Sequence, residues 1–350
     1  MNYSMEEERS EEQDYTPLLS DDAIFLILSE LSWKDILNVK LVSRRFYGII
    51  HEKYQQLNRR TVHGILIKYN KNYKSYPIRL DIIFDSVIDG DSRIIPFSYH
   101  RKIINIQSGE ELSKLLKMFD LKNFNYLVVP ATDDFDIFDI MGKSFQIGTK
   151  ISALTISKVA EKDFRSFRVF IEKFSSIKNL CIEHICSPST EAKDIYLDLS
   201  LSSLDTIEHF CISECNATKI LSVDMVTKLL ERNLNLKSLD IGTWDIEFIE
   251  SLFKKFFTME QPCKTVNKCD YGEINLSLFF RGEFEHLCEI LRNDLNQLED
   301  VEEIEDTLFP WEGVVFESSV YYKYCLKDKN GITRCVRLWN GELDRPGLNH

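Results

Sequence analysis

A short apolar pattern, L-x-x-L-x-L, recurs six times and is the feature that most restricts how this chain can fold. The copies begin at residues 124, 151, 177, 207, 236 and 271, so they are spaced by 27, 26, 30, 29 and 35 residues. One such match is expected by chance in an apolar chain, but six at nearly regular spacing indicate an internal repeat. The apolar positions are Phe124/Leu127/Val129, Ile151/Leu154/Ile156, Ile177/Leu180/Ile182, Ile207/Phe210/Ile212, Leu236/Leu239/Ile241 and Tyr271/Ile274/Leu276.

Helical patterns separate the copies, notably in residues 164–174 and 246–256, where apolar residues recur at helical spacing. A strand that returns through a helix to a parallel neighbour needs intervals of this length, and such units bury their apolar faces by stacking. The spacing resembles that of leucine-rich repeats, and the fourth copy extends to Cys215 to complete L-x-x-L-x-L-x-x-C. We therefore predict, for residues 108–282, a degenerate leucine-rich-repeat-like curved sheet with helices; an unrelated α/β arrangement is the alternative.

The residues beside the inward apolar positions should face the concave side of such a sheet. This set is small, polar and mildly acidic, so we predict that it binds a protein segment, slightly favouring a basic one. A slip of one residue would exchange the two faces. The candidate target-binding residues are Asn179, Cys181, Glu183, His209, Cys211, Asp240 and Asn275. The same face would also hold Ala153, Thr155, Ser157, Ser213, Ser238, Glu273 and Ser277.

Residues 19–50 predict a compact unit of three helices. Residues 23–28 are six apolar residues in a row, so a helix there is apolar on every side. One side can pack on the rest of the unit, and the other must be covered by something else. Ser20, Ser32 and Ser43 are the predicted N-caps of the three helices. A helical unit this small and this apolar is predicted to form half of an interface.

This stretch resembles the F-box, whose pattern runs L-P-x-E, then I-L-x-x-L, then D-L, then V-S-R-x-F. Ser20 stands where the family has proline after the first leucine, in the entry loop that contacts the adaptor in the family. The match spans residues 19–46 of the 350-residue chain without a gap. The matching residues are Leu19, Asp22, Ile27, Leu28, Leu31, Asp35, Ile36, Val42, Ser43, Arg44 and Phe46.

The resemblance implies docking onto the Skp1 adaptor of an SCF (Skp1-cullin-F-box) cullin-RING ubiquitin ligase. An N-terminal F-box followed by a divergent repeat-bearing domain is also similar to nematode F-box proteins with F-box-associated domains. A buried helical hairpin at the start of a globular domain is the alternative. The predicted Skp1-binding residues are Leu19, Ile24, Ile27, Leu28, Leu31, Ile36, Leu37, Val42 and Phe46.

The remaining segments complete an α+β or α/β organisation. Residues 1–16 hold six acids and one arginine, which predicts a disordered tail, and residues 17–60 hold the F-box and a linker helix. Residues 61–107 predict a short β-rich segment of antiparallel strands at 62–69, 78–88 and 94–99, with a turn at Asp89-Gly90.

The C-terminal part, residues 283–340, predicts a helix and a β-hairpin that caps the domain. The helix covers 283–298, and strands at 314–326 and 332–339 are joined through Asn330-Gly331, a strong hairpin signal. Residues 341–350 form a loose tail.

Composition excludes several classes of protein. The formal net charge of −13 argues against a nucleic-acid-binding face, which would be basic. The sequence has no apolar run of the length that spans a membrane, and its acidic start is unlike a signal peptide. We therefore expect a cytoplasmic or nuclear protein that binds neither nucleic acid nor membrane.

Each partial match to a metal-binding or nucleotide-binding motif lacks a residue that the motif requires. Nine cysteines without a secretion signal predict packed, reduced thiols, and Cys181/His184/Cys186 and His209/Cys211/Cys215 lack the paired C-x-x-C of a zinc site. Gly142-Lys143-Ser144 lacks the upstream glycine of a P-loop, since Ile137 stands there. We expect no metal, no cofactor and no catalytic residue.

The sequence thus favours a non-catalytic substrate-recognition adaptor, in which the F-box docks on Skp1 and the repeat region binds a protein target. Two rival hypotheses remain. One is a protein-binding scaffold without ligase engagement. The other is an enzyme with an unrecognised site between the β-rich segment and the repeats.

Overall fold

The computed structural model describes residues 19–85, 99–187, 206–215, 218–233, 235–258, 274–295, 297, 314–322 and 332–340. Within these ranges the protein is a mixed α/β structure with nine helices and a large, mostly parallel sheet. The chain divides into two compact units. Unit 1 takes residues 1–60 and 117–120, and unit 2 takes residues 61–116 and 121–350.

Unit 1 begins with the three predicted helices, α1 (Asp21–Glu30), α2 (Trp33–Val39) and α3 (Arg44–Lys53). All three predicted N-caps are confirmed, because each serine oxygen accepts a hydrogen bond from the backbone N–H three residues later. These bonds join Ser20 to Ala23 at 3.2 Å, Ser32 to Asp35 at 3.3 Å and Ser43 to Phe46 at 3.2 Å. The three serines therefore mark the residues at which the helices begin.

A small apolar core holds these helices together. A 3-10 turn (Tyr54–Gln56) follows α3, and the short strand β1 (Arg60–Thr61) pairs with β5 (Phe119–Asp120). Partly buried side chains such as Phe25 and Leu31 pack around the core. The buried core residues are Ile24, Leu28, Ile36, Ile49, Ile50 and Leu57.

Unit 2 is built on one 12-stranded sheet. Its strands run in the order β13-β14-β12-β11-β10-β9-β7-β6-β2-β3-β4, and β8 pairs with β9 off this path. Neighbours from β2 to β14 along this order are parallel, while β2–β3, β3–β4 and β13–β14 are antiparallel. The strands are β2 (Gly64–Tyr69), β3 (Ile78–Asp85), β4 (Tyr99–Ile106), β6 (Asn123–Val129), β7 (Thr149–Ile156), β8 (Val159–Ala160), β9 (Phe174–Cys186), β10 (His209–Glu214), β11 (Ser238–Thr243), β12 (Ile274–Phe280), β13 (Val314–Tyr322) and β14 (Ile332–Asn340).

The repeated pattern lies on consecutive parallel strands in register. The central apolar positions of five copies pair directly across β6, β7, β9, β10 and β11, and all of them are buried. These positions are Leu127, Leu154, Leu180, Phe210 and Leu239.

The sixth copy differs from the prediction by two residues. Leu276 pairs with Leu239, and Leu278 pairs with Ile241, so the copy on β12 is centred on Leu276 and not on Ile274. Because side chains alternate with a period of two, this slip leaves each residue on its predicted face.

Helices cover one face of the sheet. Aromatic side chains join the two layers: the ring of Phe170 on α6 lies 5.1 Å from that of Phe174 and 5.7 Å from that of Phe145, which in turn lies 5.9 Å from Phe124 on β6. The repeat positions therefore point into a core between sheet and helices. The helices of unit 2 are α4 (Gly109–Leu116), α5 (Ile137–Ser144), α6 (Phe164–Ile171), α7 (Val223–Arg232), α8 (Ile246–Thr258) and α9 (Phe284–Leu295).

The two ends of the sheet hold the predicted antiparallel strands. After residue 61 the described antiparallel strands are β2, β3 and β4; of the predicted strand 94–99 only Tyr99, the first residue of β4, lies within the described residues. These strands extend the repeat sheet, since β2 pairs with β6. At the other end, β13 and β14 are the predicted terminal strands. The predicted turns at Asp89-Gly90 and Asn330-Gly331, both chain tails and the end of the last helix pattern lie outside the described residues.

Candidate interaction surfaces

Unit 1 exposes large apolar side chains although its core is already formed. Leu41 is 86% exposed and Val42 71% exposed in the turn between α2 and α3, while Leu26 and Ile27 on α1 are 66% and 53% exposed. Ile24 and Leu28, one helical turn apart, fill the core from the other side of α1. The prediction that α1 is apolar on more than one side is confirmed.

The structure divides the predicted adaptor-binding residues into two groups. Leu19, Ile27, Leu37 and Val42 are exposed, so their side chains are accessible on unit 1. The other five form or border its core: Ile24, Leu28 and Ile36 are buried, while Leu31 and Phe46 are partly buried and pack against them. These five side chains therefore pack within unit 1. For Ile24 and Leu28 the reason is that an i, i+4 pair lies on one side of a helix, and here that side faces the core of unit 1.

Within residues 19–60, three large exposed apolar side chains were absent from the predicted set: Leu26, Leu41 and Tyr47. Leu26 lies inside the six-residue apolar run, which already indicated a second apolar side. Leu41 is adjacent to the predicted Val42. All three are apolar residues that do not share the helical spacing of the buried core residues, and this mismatch is the sequence signal that could have identified them. The apolar surface is defined hereafter as Leu19, Leu26, Ile27, Leu37, Leu41, Val42 and Tyr47.

Charged contacts fix the helices beneath this apolar surface. The Arg45 guanidinium on α3 donates to Asp21 Oδ1 at 2.6 Å and to the Leu19 carbonyl at 2.6 Å. Lys53 on the same helix lies 3.1 Å from Asp22 and 4.8 Å from the centre of the Phe25 ring. The start of α1 is thus tied to α3 at two places, which holds the exposed side chains of α1 in a fixed orientation.

Unit 2 carries its candidate residues in two adjacent rows across four parallel strands. The first row is Asn179, His209, Ser238 and Asn275, and the second is Cys181, Cys211, Asp240 and Ser277. Neighbouring strands lie about 4.8 Å apart, so each row is about 15 Å long. Six of the seven predicted target-binding residues are therefore brought together. The seventh, Glu183, lies on β9 two residues beyond Cys181.

The two rows form an open face of modest polarity. Asn179 and His209 are exposed, whereas Cys181, Cys211 and Asp240 are half-buried. Asn275 offers a buried side-chain oxygen that has no hydrogen-bond partner among the described residues. Small side chains on a sheet leave room for an approaching segment, and polar atoms beside them can bond to its backbone.

An ion-pair network borders the open face where the strands begin. Glu208 lies 2.7 Å from Lys237 and 3.9 Å from Lys178. The hydrogen bond from Lys237 lowers the pKa of the Glu208 carboxyl. Both lysines are well exposed, so the stabilisation is small, and two lysines against one carboxylate leave the network with a net positive charge.

The cysteines only partly follow the prediction of reduced thiols. Cys186 and Cys215 form a disulfide with a Cα–Cα distance of 5.1 Å, so the prediction is wrong for this pair. The reason is spatial: the ends of β9 and β10 lie side by side, which sequence spacing does not reveal. Cys288 is buried. Within the described ranges, no group of three or more His, Cys, Asp or Glu residues could hold a metal ion.

Two further polar motifs are engaged in contacts with neighbouring residues of unit 2. Gly142-Lys143-Ser144 lies inside α5, where Lys143 pairs with Asp139 at 2.6 Å. His63 lies 2.6 Å from Asp85, and its ring is also bonded by Asn125 at 2.8 Å. These bonds join the approach to β2 with β3 and β6, so the histidine links three segments of the sheet.

Among the helices of the described ranges, none has the length and apolar character needed to cross a membrane. The chain was compared with protein-family models, with curated proteins and with solved structures, and none of these comparisons finds a match.

Proposed function

We propose that this chain is a non-catalytic substrate-recognition adaptor of an SCF ubiquitin ligase. Unit 1 would act as an F-box that docks on Skp1, and unit 2 would bind the protein target. The observation that carries the proposal is the apolar surface of unit 1, which stays exposed although the helices have a complete core of their own. Large exposed apolar patches mark interaction sites.

Burial of this surface would supply part of the free energy that a complex needs. Burying a Leu, Ile or Val side chain stabilises by about 1.5–3 kcal/mol, so four such residues supply about 6–12 kcal/mol. Association itself costs several kcal/mol, and a micromolar complex requires about 8 kcal/mol net. The four most exposed residues therefore do little more than offset the cost of association, and a micromolar complex needs further contacts from the remaining members of the surface.

Unit 2 would be a degenerate leucine-rich-repeat-like domain. In support, six pattern-bearing strands are parallel and in register, and helices pack on the face that carries the repeat positions. The open face then offers its two polar rows to a segment of the target.

The chemistry of ubiquitin transfer would belong to partner subunits. This chain would raise the effective concentration of the target near the ubiquitin donor by binding both at once. Such a role places the protein in the cytoplasm or nucleus.

The proposal is tested by placing charged side chains on the apolar surface while leaving the core residues of unit 1 unchanged. We expect Leu41→Asp/Val42→Asp to lower the recovery of Skp1 with the purified chain by at least about tenfold, because two apolar contacts of about 1.5–3 kcal/mol each would be replaced by charges. The measurement is co-purification of co-expressed Skp1.

The matched control is Ile147→Asp in unit 2, where the replaced side chain is 82% exposed, close to the 86% of Leu41. It should leave Skp1 recovery unchanged. Equal recovery with both variants would reject the docking role, and a chain that retains a target but never binds Skp1 would be a scaffold without ligase engagement.

A further inference from the structure

The loop between β2 and β3 forms a cleft of about 680 Å³ on unit 2. Its volume lies in the range of pockets that hold small ligands or short peptide segments. The cleft is distinct from the two polar rows, since it is lined by the loop and by the facing ends of β2, β3 and β4.

Hydrogen bonds connect the residues that line the cleft. Asn70 and Pro77 close the loop through a backbone hydrogen bond of 2.9 Å, and Tyr73 N–H donates to the Asn70 carbonyl at 3.1 Å. Arg79 is held at the lining because its Nε donates to Asp81 Oδ1 at 2.9 Å. The Asp81 carboxylate is completely buried and also accepts from Arg101. A preformed site loses less conformational entropy when it binds.

The lining is cationic in a chain that is strongly acidic. Residues 68–79 hold Lys68, Lys71, Lys74 and Arg79 and no acid, against a net charge of −13 for the whole chain. Lys68, Lys74 and Arg79 line the cleft. In the part of the chain that the structure describes, neither Lys68 nor Lys74 forms an ion pair with a carboxylate. This concentration of positive charge indicates an anionic ligand.

Tyrosine rings lie between the cations. Tyr73 is 65% exposed and Tyr76 is 49% exposed, although aromatic rings are favourable to bury. Tyr69 is fixed edge-on against Phe135, with 5.6 Å between ring centres. Rigid tyrosines provide contact area for peptide backbone and side chains at low entropic cost.

We propose that this cleft binds an acidic peptide segment of the target protein, with the anionic groups against Lys68, Lys74 and Arg79 and the chain against the tyrosines. The inference rests on the proposed function for the identity of its partner as a target. The anion is a carboxylate cluster or a phosphate, which bond to these cations in the same way. A nucleic acid fits less well, because the few cations of the cleft could contact only a few phosphates and the acidic chain would oppose its further approach.

The test is fluorescence anisotropy of short labelled peptides on the purified full-length chain. The probes are a Glu/Asp-rich peptide with one tyrosine, a phosphoserine peptide of the same length, their Gln/Asn and serine counterparts, and a single-stranded oligonucleotide. The variants are Lys68→Glu/Lys74→Glu and a control of equal charge change, Lys150→Glu/Lys228→Glu, at exposed lysines away from the cleft. Equal melting temperatures of the three proteins establish that each is folded.

We expect an anionic peptide to bind the wild-type chain and the control, and to bind the cleft variant at least about tenfold more weakly. The two anionic probes distinguish carboxylate from phosphate. Failure of both to bind the wild type, equal binding of their neutral counterparts, or equal loss in the control overturns the proposal. Preferential, cleft-dependent binding of the oligonucleotide also overturns it. Skp1 recovery with the same variants separates this result from the docking role, since it should be unchanged.

Discussion

Glu214 is the side chain whose surroundings are most unusual for its type. It is only 3% exposed at the end of β10, and it accepts hydrogen bonds from Ile220 N–H at 2.5 Å, Leu221 N–H at 2.6 Å and Thr243 Oγ1 at 2.5 Å. Burial raises the pKa of its carboxyl, an effect that the three donors partly oppose. The carboxyl thus fixes residues 220–221, which precede α7, against the sheet.

The raised pKa has a defined consequence for stability. A carboxyl whose pKa is higher in the folded than in the unfolded protein contributes stability below its unfolded pKa, and this contribution is lost as the pH rises through the folded pKa. We expect Glu214→Gln, which keeps an acceptor but cannot ionise, to show a smaller fall in unfolding free energy between pH 4 and pH 8. Urea denaturation at several pH values across this range measures the unfolding free energy of both proteins.

Glu214→Ala is the companion variant, and it should lower the unfolding free energy by on the order of 3 kcal/mol at pH 4, because it leaves buried donors without partners, and by less at pH 8. If the unfolding free energy of the wild type and of the Gln variant varied identically with pH, the raised pKa of Glu214 would be contradicted.

At this scale the sequence identified apolar residues correctly but not the side to which each one faces. In α1 every residue from 23 to 28 is apolar, so periodicity alone cannot separate Leu28, which is buried, from Leu26, which is exposed. The distinction depends on where α2 and α3 pack. The pairing of Cys186 with Cys215 depends in the same way on the alignment of two strands.

At the scale of elements, local signals were the most informative. The serine caps gave the starts of three helices, and the repeat gave the register of five strands. The predicted sixth copy was displaced by two residues because the position three residues before Leu276 is Glu273, so the full apolar pattern is met only by Tyr271/Ile274/Leu276. Helix α6 illustrates how an element is anchored: Phe164, Phe167, Phe170 and Ile171 are all buried.

Phe170 is the side chain on which the packing of α6 depends most. It is completely buried and its ring lies within 6.0 Å of the rings of Phe138, Phe145 and Phe174. We expect Phe170→Ala to lower the unfolding free energy by about 3–5 kcal/mol, through lost burial and a residual cavity. Thermal and urea denaturation measure the change.

Phe170→Leu serves as the control, since it retains much of the volume and should cost less than the Ala variant. Equal losses from the two substitutions would show that cavity volume does not determine the stability at this position.

For the whole molecule, the main result is that each unit has an apolar core of its own. The core of unit 1 is a separate cluster of six buried residues, and the core of unit 2 lies between the sheet and its helices. Separate cores permit the units to unfold independently. Residues 117–120 group with unit 1 although they are distant in sequence, and sequence alone does not predict this because it depends on the pairing between β1 and β5.

Leu28→Asp tests this independence. A charge placed at a side chain that is 1% exposed should destabilise unit 1 by about 3–5 kcal/mol, and amide exchange in α1–α3 should become fast while the strands of unit 2 stay protected. Hydrogen exchange followed by mass spectrometry reports both units at once.

Leu26→Asp, on the same helix but 66% exposed, is the matched control and should alter the stability by no more than about 0.5 kcal/mol. Loss of protection throughout unit 2 in the Leu28 variant would mean that the two cores unfold together.

One of the two outermost strands of the described sheet, β4, has a consequence for how molecules of this protein meet. Its consecutive residues Arg101 and Lys102 are exposed and lie on opposite faces of the strand, and Arg101 also pairs with Asp81. Two copies approaching along this edge would bring those charges together at strand spacing, about 4.8 Å, where like charges oppose pairing. These charges therefore oppose the growth of fibres from this edge, and added salt would weaken the opposition by screening the charges.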